Sequence, residues 1–456
     1  MLGASTSRPP SGGIDMRLPQ FGIFAQGTVA HEFIEFDVRA GVDQADAGRA
    51  ITQLEQPAVA AGGVNLVLAF SADLWRRMAP DETPAGLGPF REIIGLDGRG
   101  APARQHDAFV WISGSSSDVV FEQSRAAMKA VADVAVVATE QACFVHRDSR
   151  DLLGFIDGTK NPPSLEAPLA ALVPPGEPGA GGSHVLVMRW VHDLDRFEQL
   201  PVAEQERVFG RRRIDSVELS DEDKPATAHI ARVEIEDEHG DELQIYRRSV
   251  PYGRLAEHGL YFVAFSADRE RFDRMLERMF GLADGQRDRL TDFSRPVAGA
   301  VYFAPPLTLL GLKEEPLHER EEVLRKIPLF AACSAHDLKS IASRAQTREF
   351  PAGATLCRQG TRGDGFFVIV DGSAEARRDG ALLRTMGPGD FFGEIAVIDE
   401  GPRTATVTST TALRCFTIGS HDFRDVLGQN ANVAVRILDA VTRRLRAMLP
   451  PSVGNE

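Results

Sequence analysis

The sequence has few cysteines and no long uncharged apolar run. The four thiols, Cys143, Cys333, Cys357 and Cys415, lie far apart with no CxxC or CxxCH motif, which excludes the spacing of a zinc ribbon. Reduced thiols are expected. No uncharged apolar run of about 18 residues occurs, and the amino-terminal segment has neither a twin arginine nor an apolar signal core. These absences predict a cytoplasmic protein with no membrane partner.

Basic residues are also in the minority. The chain of 456 residues carries 51 lysines and arginines against 65 acidic residues, a formal net charge of -14. Such a charge argues against non-specific binding of a polyanion, so no nucleic-acid partner is expected. The apolar share of 43% and the charged share of 25% are those of a globular protein. This length exceeds what one hydrophobic core usually organises, which predicts two or three domains.

Residues 19–310 alternate between strand-like and helix-like patterns. Runs such as HEFIEFDV and VNLVLAFS flank segments with apolar residues at helical spacing, and the order strand, helix, strand recurs. Later in this part, ARVEIEDE (231–238) and LQIYRRSV (243–250) are predicted to be strands joined at Gly240. The mixture predicts an α+β fold with duplicated ferredoxin-like halves.

The character of the sequence changes after a pair of adjacent prolines. We predict a linker over 311–326 and an all-β domain with flanking helices over 327–449, because short strand-like runs there are separated by glycine turns. Segments 1–18 and 450–456 are predicted to be tails, since neither has the apolar residues to form a core.

One carboxylate of the first domain lies in an unusual turn. Asp157 belongs to GFIDGTKNP, a glycine-flanked segment rich in residues that tolerate uncommon backbone angles. An aspartate before glycine is most often a turn former, and the motif alone favours that interpretation. Such a turn can also present an acid or base at the wall of a pocket. The rest of the sequence decides between the two.

The motif and five further blocks resemble the dye-decolorizing peroxidases, in particular their bacterial cytoplasmic branch. The blocks occur in the order of that family and cover nearly all of residues 19–310. They are PQFGIFAQGTVAHEFIEFDV, HIARVEI, RRSVPYG, HGLYFVAF and DGQRDRLTDFSRPVAGAVYFAPP. The resemblance implies a peroxidase with haem b (iron protoporphyrin IX) that reduces hydrogen peroxide while it oxidises a dye-like or phenolic organic donor.

The resemblance also implies a role for each polar residue of the haem pocket. His229 is the expected axial ligand, since a peroxidase iron most often takes a neutral imidazole. Asp288 is the expected acceptor for the other ring nitrogen, with Asp292 as the competing candidate. Asp157 is expected to transfer the peroxide proton, and Arg247 to stabilise charge on the leaving oxygen.

Further pocket residues follow from the same blocks. Ser249, on the same strand face as Arg247, is the expected polar distal residue, and Leu260 and Phe262 are expected to form an apolar roof. Arg248 should point to the opposite face of the strand. Relatives often relay electrons through surface aromatic residues, but packing is the commoner role and no relay is assigned. The candidates by chemistry are Trp75, Trp111, Trp190 and Tyr252.

A second functional segment is FFGEIAVIDEGPRTATV (391–407). Its order of strand, Gly–Glu step, short apolar turn and arginine suits a small cyclic phosphate. Backbone N–H groups can hold the phosphate oxygens, Arg403 can neutralise the charge, and Glu394 can accept the ribose 2′-hydroxyl. The spacing alone is also that of a solvated ion pair. The string resembles the phosphate-binding cassette of cyclic-nucleotide-binding domains, which implies a β-roll or jelly-roll fold with flanking helices.

This second resemblance implies that Gly393, Glu394, Arg403 and Thr404 bind cAMP or cGMP. A hydroxyl such as that of Thr404 often accompanies cGMP but also occurs in some cAMP binders, so the choice of purine stays open. The ligand is expected to regulate the peroxidase only if it binds two conformations with different affinity.

Two alternatives remain open. The chain could be a haem carrier or storage protein with incidental peroxidase activity, although Asp157 and Arg247 argue against this because a carrier needs neither. The C-terminal domain could instead be a docking module for a compartment, which implies a docking or encapsulating partner. Family resemblance further implies a homo-oligomer.

Overall fold

The computed structural model describes residues 17–25, 27–54, 64–114, 116–163, 166–237, 239–240, 242–311, 317–330, 333–350, 352–360, 365–398, 401–429 and 431–448. The tails predicted at 1–18 and 450–456 lie outside these ranges except for residues 17 and 18.

The first part of the chain forms one large antiparallel sheet and a separate strand pair. The strands are β1 (Ala30–Val38), β2 (Asn65–Phe70), β3 (Ile93–Ile94), β4 (Gly100–Ala101), β5 (Ala108–Gly114), β6 (Ala135–Phe144), β7 (Ser183–His192), β8 (Tyr246–Arg247), β9 (Val250–Gly253), β10 (His258–Ser266) and β11 (Ser294–Ala304). The large sheet has the order β6-β1-β5-β2-β11-β7-β10-β8, with β9 beside β10, and β3 pairs with β4.

In the described residues of this part, eight α-helices accompany the strands. They are α1 (Gln44–Thr52), α2 (Ala72–Met78), α3 (Ser117–Val131), α4 (Ala167–Ala171), α5 (Leu194–Glu198), α6 (Val202–Phe209), α7 (His229–Val233) and α8 (Glu270–Met279). Helix α8 is amphipathic, since its buried residues Phe272, Leu276 and Met279 recur every three or four positions. That face covers the second half of the sheet.

The large sheet consists of two similar halves. The first half contains β1, β2, β5 and β6, and the second contains β7 to β11. The halves join where Phe70 of β2 pairs with Phe303 of β11. Strand β2 reads as a continuous apolar run because both faces of the sheet are covered there. The predicted α+β fold with duplicated ferredoxin-like halves is confirmed.

The prediction of a strand over 231–238 is wrong. The chain forms helix α7 there, followed by an isolated bridge between Glu236 and Glu242. The alternation in ARVEIE has the period of a strand, but Arg232 is buried, and its guanidinium lies 2.6 Å from Asp284. These tertiary contacts outweigh the local pattern, which is a weak determinant on its own.

The second strand of that predicted hairpin is broken in two. Only residues 246–247 and 250–253 are strands, within the predicted range 243–250 and just beyond it. The break falls at Arg248 and Ser249. Arg248 still donates its backbone N–H to the carbonyl of Val263 at 2.8 Å, so the chain stays beside β10 through the break.

The C-terminal part is a β-sandwich with helices at both ends. Its strands are β12 (Gln346–Phe350), β13 (Thr355–Cys357), β14 (Gly365–Asp371), β15 (Ala374–Arg378), β16 (Ala381–Met386), β17 (Phe391–Phe392), β18 (Thr406–Ser409) and β19 (Leu413–Gly419). They form two four-stranded sheets with the orders β12-β19-β14-β17 and β13-β18-β15-β16. The predicted β-roll or jelly-roll architecture is confirmed. The helices are α9 (Leu317–Lys326), α10 (Ala335–Arg344), α11 (Glu394–Ile398), α12 (Ser420–Gln429) and α13 (Ala431–Met448).

The linker predicted over 311–326 contains helix α9. Leu324 of this helix is fully buried in one apolar cluster with Ile327, Ile341 and Phe416. Helix α9 therefore packs with the helices and strands of the C-terminal part. Where the two domains divide stays a prediction.

The described ranges contain no helix that is long and apolar enough to cross a membrane. The four cysteines are free thiols, and three of them, Cys143, Cys357 and Cys415, are buried.

Candidate active site

A long cavity lies against the second half of the sheet, beneath helices α7 and α8. Its walls are mostly apolar, and side chains of β7 and β10 form the side next to the sheet. The apolar lining comprises Leu153, Phe155, Ile156, Leu186, Met188, Trp190, Phe209, Ile230, Val233, Ile245, Leu260, Phe262, Phe272, Met275, Leu276, Met279 and Leu290. Pockets of this composition, with a few convergent polar groups, are typical binding sites for organic ligands and cofactors.

His229 is one of those polar groups. It is the first residue of α7, and its Nδ1 lies 2.7 Å from Oδ2 of Asp288, whose side chain is fully buried. An ionised carboxylate can only accept this bond, so in the neutral imidazole Nδ1 carries the proton and Nε2 keeps its lone pair. Asp288 is itself fixed, because its Oδ1 accepts the backbone N–H of Leu290 at 2.8 Å.

Asp292, the competing candidate for the partner of His229, lies elsewhere. Its carboxylate pairs with Arg287 at 2.9 Å and with Arg99 at 3.2 Å. The structure thus brings His229 together with Asp288 and not with Asp292. The functional roles of these residues stay predictions.

A second imidazole–carboxylate pair, which the sequence did not reveal, lines the same cavity. Nε2 of His192 lies 3.0 Å from Oδ1 of Asp151, and Nδ1 lies 2.8 Å from Oγ of Ser294. Both ring nitrogens are therefore engaged. Burial raises the pKa of Asp151, but the charge of His192 and its hydrogen bond outweigh burial, so the pKa lies below the usual value. This imidazole has no lone pair left for a ligand.

Asp157 and Arg247 form another polar pair in the cavity lining. Oδ1 of Asp157 lies 3.1 Å from Nη2 of Arg247, and each side chain keeps about a fifth of its surface exposed. The same oxygen accepts the backbone N–H of Gly158 at 2.7 Å, and Gly158 has a φ of +76°. Since that angle suits glycine, the residue after Asp157 in the motif is explained by the turn.

The chain around Arg247 is held by a residue that the sequence did not single out. The side-chain amide of Asn161 accepts the backbone N–H of Arg247 at 2.9 Å and donates to its carbonyl at 2.8 Å. Asn161 therefore pairs with β8 as a neighbouring strand would. Because Asn161 follows Asp157 in the same turn, these two hydrogen bonds fix the carboxylate of Asp157 and the guanidinium of Arg247 relative to each other. The polar residue before the prolines of GFIDGTKNPP was the available signal.

Leu260 and Phe262 line the cavity next to the sheet, and their role as an apolar roof stays a prediction. Ser249 lies instead in an adjoining opening that Asp157 and Arg247 also line, and its Oγ is 3.4 Å from the backbone nitrogen of Val263. Arg248 points away from the main cavity, as expected. It donates to the carbonyl of Ile23 and lies over the ring of Trp111.

Charged residues also contribute to the cavity lining. Arg211 donates to the carbonyl of Ser216 at 2.6 Å, and Lys160 pairs with Glu234. Burial lowers the pKa of the Arg211 guanidinium, an effect that the carboxylates of Glu218 and Glu234 oppose. These cations lie where a ligand with carboxylate groups could meet them.

The four aromatic candidates for electron relay are all buried. Trp190 lines the cavity itself, whereas Trp75 donates its indole N–H to the carbonyl of Glu82. Trp111 donates to Nδ1 of His31 at 3.1 Å, and Tyr252 is 2% exposed. None of the four is a surface residue, which agrees with packing as their ordinary role.

The cassette of the C-terminal part has a compact arrangement around Arg403. This side chain is 3% exposed, and it donates to the carbonyl of Gly393 at 2.9 Å and to that of Gly365 at 2.7 Å. Glu394 is 1% exposed and begins helix α11. Gly393 has a φ of +90°, and a Cβ there would lie 2.5 Å from Arg403. Thr404 follows on a partly exposed turn.

The fold and the cavity together define the class of enzyme. An imidazole backed by a buried carboxylate and an acid paired with a guanidinium both contribute to the lining of one apolar cavity. These are the groups that a haem peroxidase uses to hold iron and to split peroxide.

Comparison with known proteins gives the family. Residues 20–145 match the family described as Dyp-type peroxidase, N-terminal, and residues 148–309 match Dyp-type peroxidase, C-terminal. A dye-decolorizing peroxidase of Rhodococcus erythropolis is 37% identical over 292 residues, which cover 62% of this chain and 85% of the relative. The chain belongs to the Dyp-type peroxidase family and is a haem peroxidase of the dye-decolorizing type.

Solved structures agree with this assignment. A variant of DypB from Rhodococcus jostii RHA1 in complex with heme is 32% identical, with a TM-score of 0.60 over 63% of this chain and 96% of that one. The encapsulated DyP-type peroxidase from Mycobacterium smegmatis is 33% identical, with a TM-score of 0.60 over 65% of this chain and 97% of that one.

The C-terminal part has relatives of its own. Residues 347–430 match the cyclic nucleotide-binding domain family. A CRP-like cAMP-activated global transcriptional regulator of Mycobacterium tuberculosis is 30% identical over 131 residues, which cover 28% of this chain and 58% of the relative. The predicted fusion of a peroxidase with a cyclic nucleotide-binding domain is confirmed.

Proposed function

We propose that this chain binds haem b in the cavity through Nε2 of His229 and reduces hydrogen peroxide there while oxidising a dye-like or phenolic donor. One observation carries the proposal. His229, with one ring nitrogen free, and the Asp157–Arg247 pair line the same apolar cavity.

The residues of the cavity fit this cofactor. A porphyrin is large, flat and apolar, and the lining from β7, β10 and α8 is apolar along its length. Arg211 and Lys160 would meet its two carboxylates. Asp288 would increase the donor strength of His229, since a buried carboxylate draws on the Nδ1 proton.

Asp157 and Arg247 have different roles in the cleavage of peroxide, one in proton transfer and the other in charge stabilisation. Bound haem would supply the electrons that break the O–O bond. The carboxylate of Asp157 accepts the proton of the inner oxygen and returns it to the outer oxygen, which leaves as water. Arg247 compensates the negative charge that develops on that oxygen. Asn161 keeps the two side chains in register through the backbone of Arg247.

The absorption spectrum of the purified protein tests this proposal. After haem is supplied, a Soret band should appear and should shift when peroxide is added. A protein that takes up no haem would overturn the proposal. One that takes up haem without reacting with peroxide would be the carrier or storage protein that is the alternative.

We propose further that Gly393, Glu394, Arg403 and Thr404 bind cAMP or cGMP and that this ligand regulates the peroxidase. The contacts of Arg403 with two backbone carbonyls support the proposal, because a cyclic phosphate would replace them with charge-assisted bonds. Titration with each nucleotide should show saturable binding that Glu394→Gln weakens. Thr404→Ala should lower affinity for cGMP more than for cAMP. A thermal melt in the absence of nucleotide controls for folding of both variants.

Docking into a compartment is the second candidate function of the C-terminal domain. The Mycobacterium smegmatis relative, whose match covers 65% of this chain, shows that a DyP-type peroxidase can be encapsulated, and a docking role of the added C-terminal domain would be a separate means to that end. Absence of nucleotide binding by the intact protein, together with capture of the full chain by a co-expressed shell, would favour docking. We also propose a cytoplasmic homo-oligomer, which sedimentation of the holoenzyme tests. Limited proteolysis tests the proposed division at 311–326.

A further inference from the structure

A second cavity lies on the face of the sheet opposite the haem cavity. It encloses about 200 Å³. It opens where β11 carries a bulge between Pro296 and Ala298, so that Val297 has no partner on β7. The small side chains of Ala298 and Ala300 line the space that the bulge creates. Bulges of this kind are common beside functional sites.

Two arginines line this cavity, Arg189, which is partly buried, and Arg104, which is exposed. Arg189 is the cross-strand neighbour of both Ala298 and Tyr261, and its Nε is buried with no hydrogen-bond partner. Across the described ranges, neither Arg189 nor Arg104 forms an ion pair or a side-chain hydrogen bond. A guanidinium without an acceptor in the protein is free to pair with an anionic ligand. Both arginines line the same space.

Tyr261 contributes an aromatic ring to the cavity lining, and the buried carboxylate of Glu35 is already hydrogen-bonded. Glu35 accepts from Tyr302 at 2.5 Å, from Thr139 at 3.0 Å and from Tyr261 at 3.4 Å. Burial raises the pKa of both tyrosines, so their hydroxyls remain proton donors to Glu35. The negative charge of Glu35 is therefore directed toward its own donors. Glu140 lies at the exposed rim.

The two cavities lie back to back across a single sheet. On β10, Leu260 and Phe262 line the haem cavity, whereas Tyr261 between them lines the second cavity. On β7, Met188 lines the haem cavity and its neighbour Arg189 lines the second cavity. Alternate residues of a strand face opposite sides, so only the thickness of the sheet separates a ligand here from the haem cavity.

We propose that this second cavity binds a small aromatic carboxylate that donates electrons to the peroxidase. The carboxylate would pair with Arg189 and Arg104, and the ring would lie against Tyr261, Val187 and Ala300. An apolar cavity of about 150 Å³ is known to hold benzene, so the space suits one ring. The site deepens the proposed peroxidase function and rests on it.

The electron balance is that of a peroxidase. Two phenolic donors each lose one electron and one proton, and one peroxide gains both electrons and both protons to give two waters. The electrons would cross the sheet to the cofactor that peroxide has oxidised. The phenolic protons leave to solvent through the open mouth of the second cavity, and solvent supplies the protons that peroxide takes up. No further oxidant or reductant is needed.

Calorimetric titration of the holoenzyme with benzoate tests binding without any turnover. Arg189→Met should weaken benzoate binding by about tenfold or more, the loss expected for a charge-assisted hydrogen bond. Ala298→Phe, which fills the cavity and leaves both arginines in place, should have the same effect. Arg295→Met is the matched control, since Arg295 is exposed on β11, the strand of Ala298, and does not line the cavity. It should bind benzoate as the unaltered protein does.

Steady-state oxidation of 4-hydroxybenzoate supplies the second measurement. Arg189→Met and Ala298→Phe should raise KM for this donor by about tenfold or more, while the rate at which peroxide changes the haem spectrum stays the same. Benzoate binding that survives both substitutions, or that shifts the Soret band, would overturn the proposal. Failure of the unaltered holoenzyme to react with peroxide would instead refute the peroxidase function, and the benzoate titration would still decide the site.

Discussion

The cavity contains two imidazole–carboxylate pairs that differ in one respect. Asp288 engages one ring nitrogen of His229, while Asp151 and Ser294 engage both ring nitrogens of His192. His229 keeps a fifth of its side-chain surface exposed to the cavity region, and His192 keeps 3%. A histidine–aspartate pair alone is therefore not enough to predict a metal ligand, because the second ring nitrogen must also be available.

The two pairs also fix different parts of the fold. Asp288 caps the short helical turn Arg289–Asp292 next to α7, so the pair holds the imidazole itself. Asp151 begins the turn that carries Asp157, and His192 ends β7, so the second pair ties that turn to the sheet. We expect the His229–Asp288 pair to determine the binding and reactivity of the iron. We expect the His192–Asp151 pair to determine the stability of the fold.

Removal of the imidazole in His229→Ala should have the largest effect. Without a nitrogen donor the iron has no axial ligand from the protein, and we expect no stable Soret band and no measurable peroxide turnover. Haem titration followed by absorption measures this. His192→Ala is the comparison, and it should still take up haem. Loss of haem from both variants to the same extent would erase the distinction between the pairs.

Asp157→Ala should retain haem and lose catalysis. Removal of a positioned proton carrier is expected to slow the reaction with peroxide by about 10² to 10⁴. Stopped-flow absorption after peroxide addition measures the rate. Asp148→Ala is the matched control, because that carboxylate is 59% exposed and pairs with Arg150 at the surface. An Asp157→Ala rate equal to that of the control would remove the acid from the mechanism.

Asp288→Asn should have an intermediate effect. An amide still accepts from the backbone N–H of Leu290, but it draws less on the imidazole proton, so His229 becomes a weaker donor. We expect a loss of about 10- to 100-fold in activity and a higher reduction potential of the iron. Redox titration measures the potential. Asp292→Asn should leave the reduction potential unchanged. A higher potential in Asp292→Asn, and not in Asp288→Asn, would mean that Asp292 is the carboxylate that acts on His229.

Asp151→Asn should leave the peroxide reaction almost unchanged and lower stability. Breaking a buried ionic pair costs about 3 to 5 kcal/mol. Because the pKa of Asp151 is below its usual value in the folded protein, the pair stabilises the fold above the unfolded value of 3.8. That stabilisation is lost as the pH falls through the lower folded value. Denaturant unfolding at neutral and acidic pH measures it, and equal acid sensitivity in the variant would contradict the assignment.

The sequence identified the residues that belong to a contiguous motif. Asp157 stands in GFIDGTKNP and Arg247 heads RRSVPYG, so each could be found by its neighbours. His229 was found in the same way, although the strand predicted after it is a helix. The period of ARVEIE could not reveal the pairing of Arg232 with Asp284, which lies 52 positions away.

The parts that escaped prediction depend on distant pairs. His192 meets Asp151 and Ser294 across separations of 41 and 102 positions, and no local pattern marks such a contact. Asn161 was inside the recognised motif, but its partner is the backbone of Arg247, which has no sequence signature. The nucleotide cassette was predictable because Glu394 and Arg403 lie within one short segment.

The most direct test of the central claim is chemical rescue of a cavity left by His229→Gly. We expect the variant to lack the Soret band of the holoenzyme, and we expect added imidazole to restore both the band and the reaction with peroxide. The same substitution at His192 should need no rescue. A His229→Gly protein with the spectrum of the unaltered holoenzyme, or an imidazole requirement in His192→Gly instead, would contradict it.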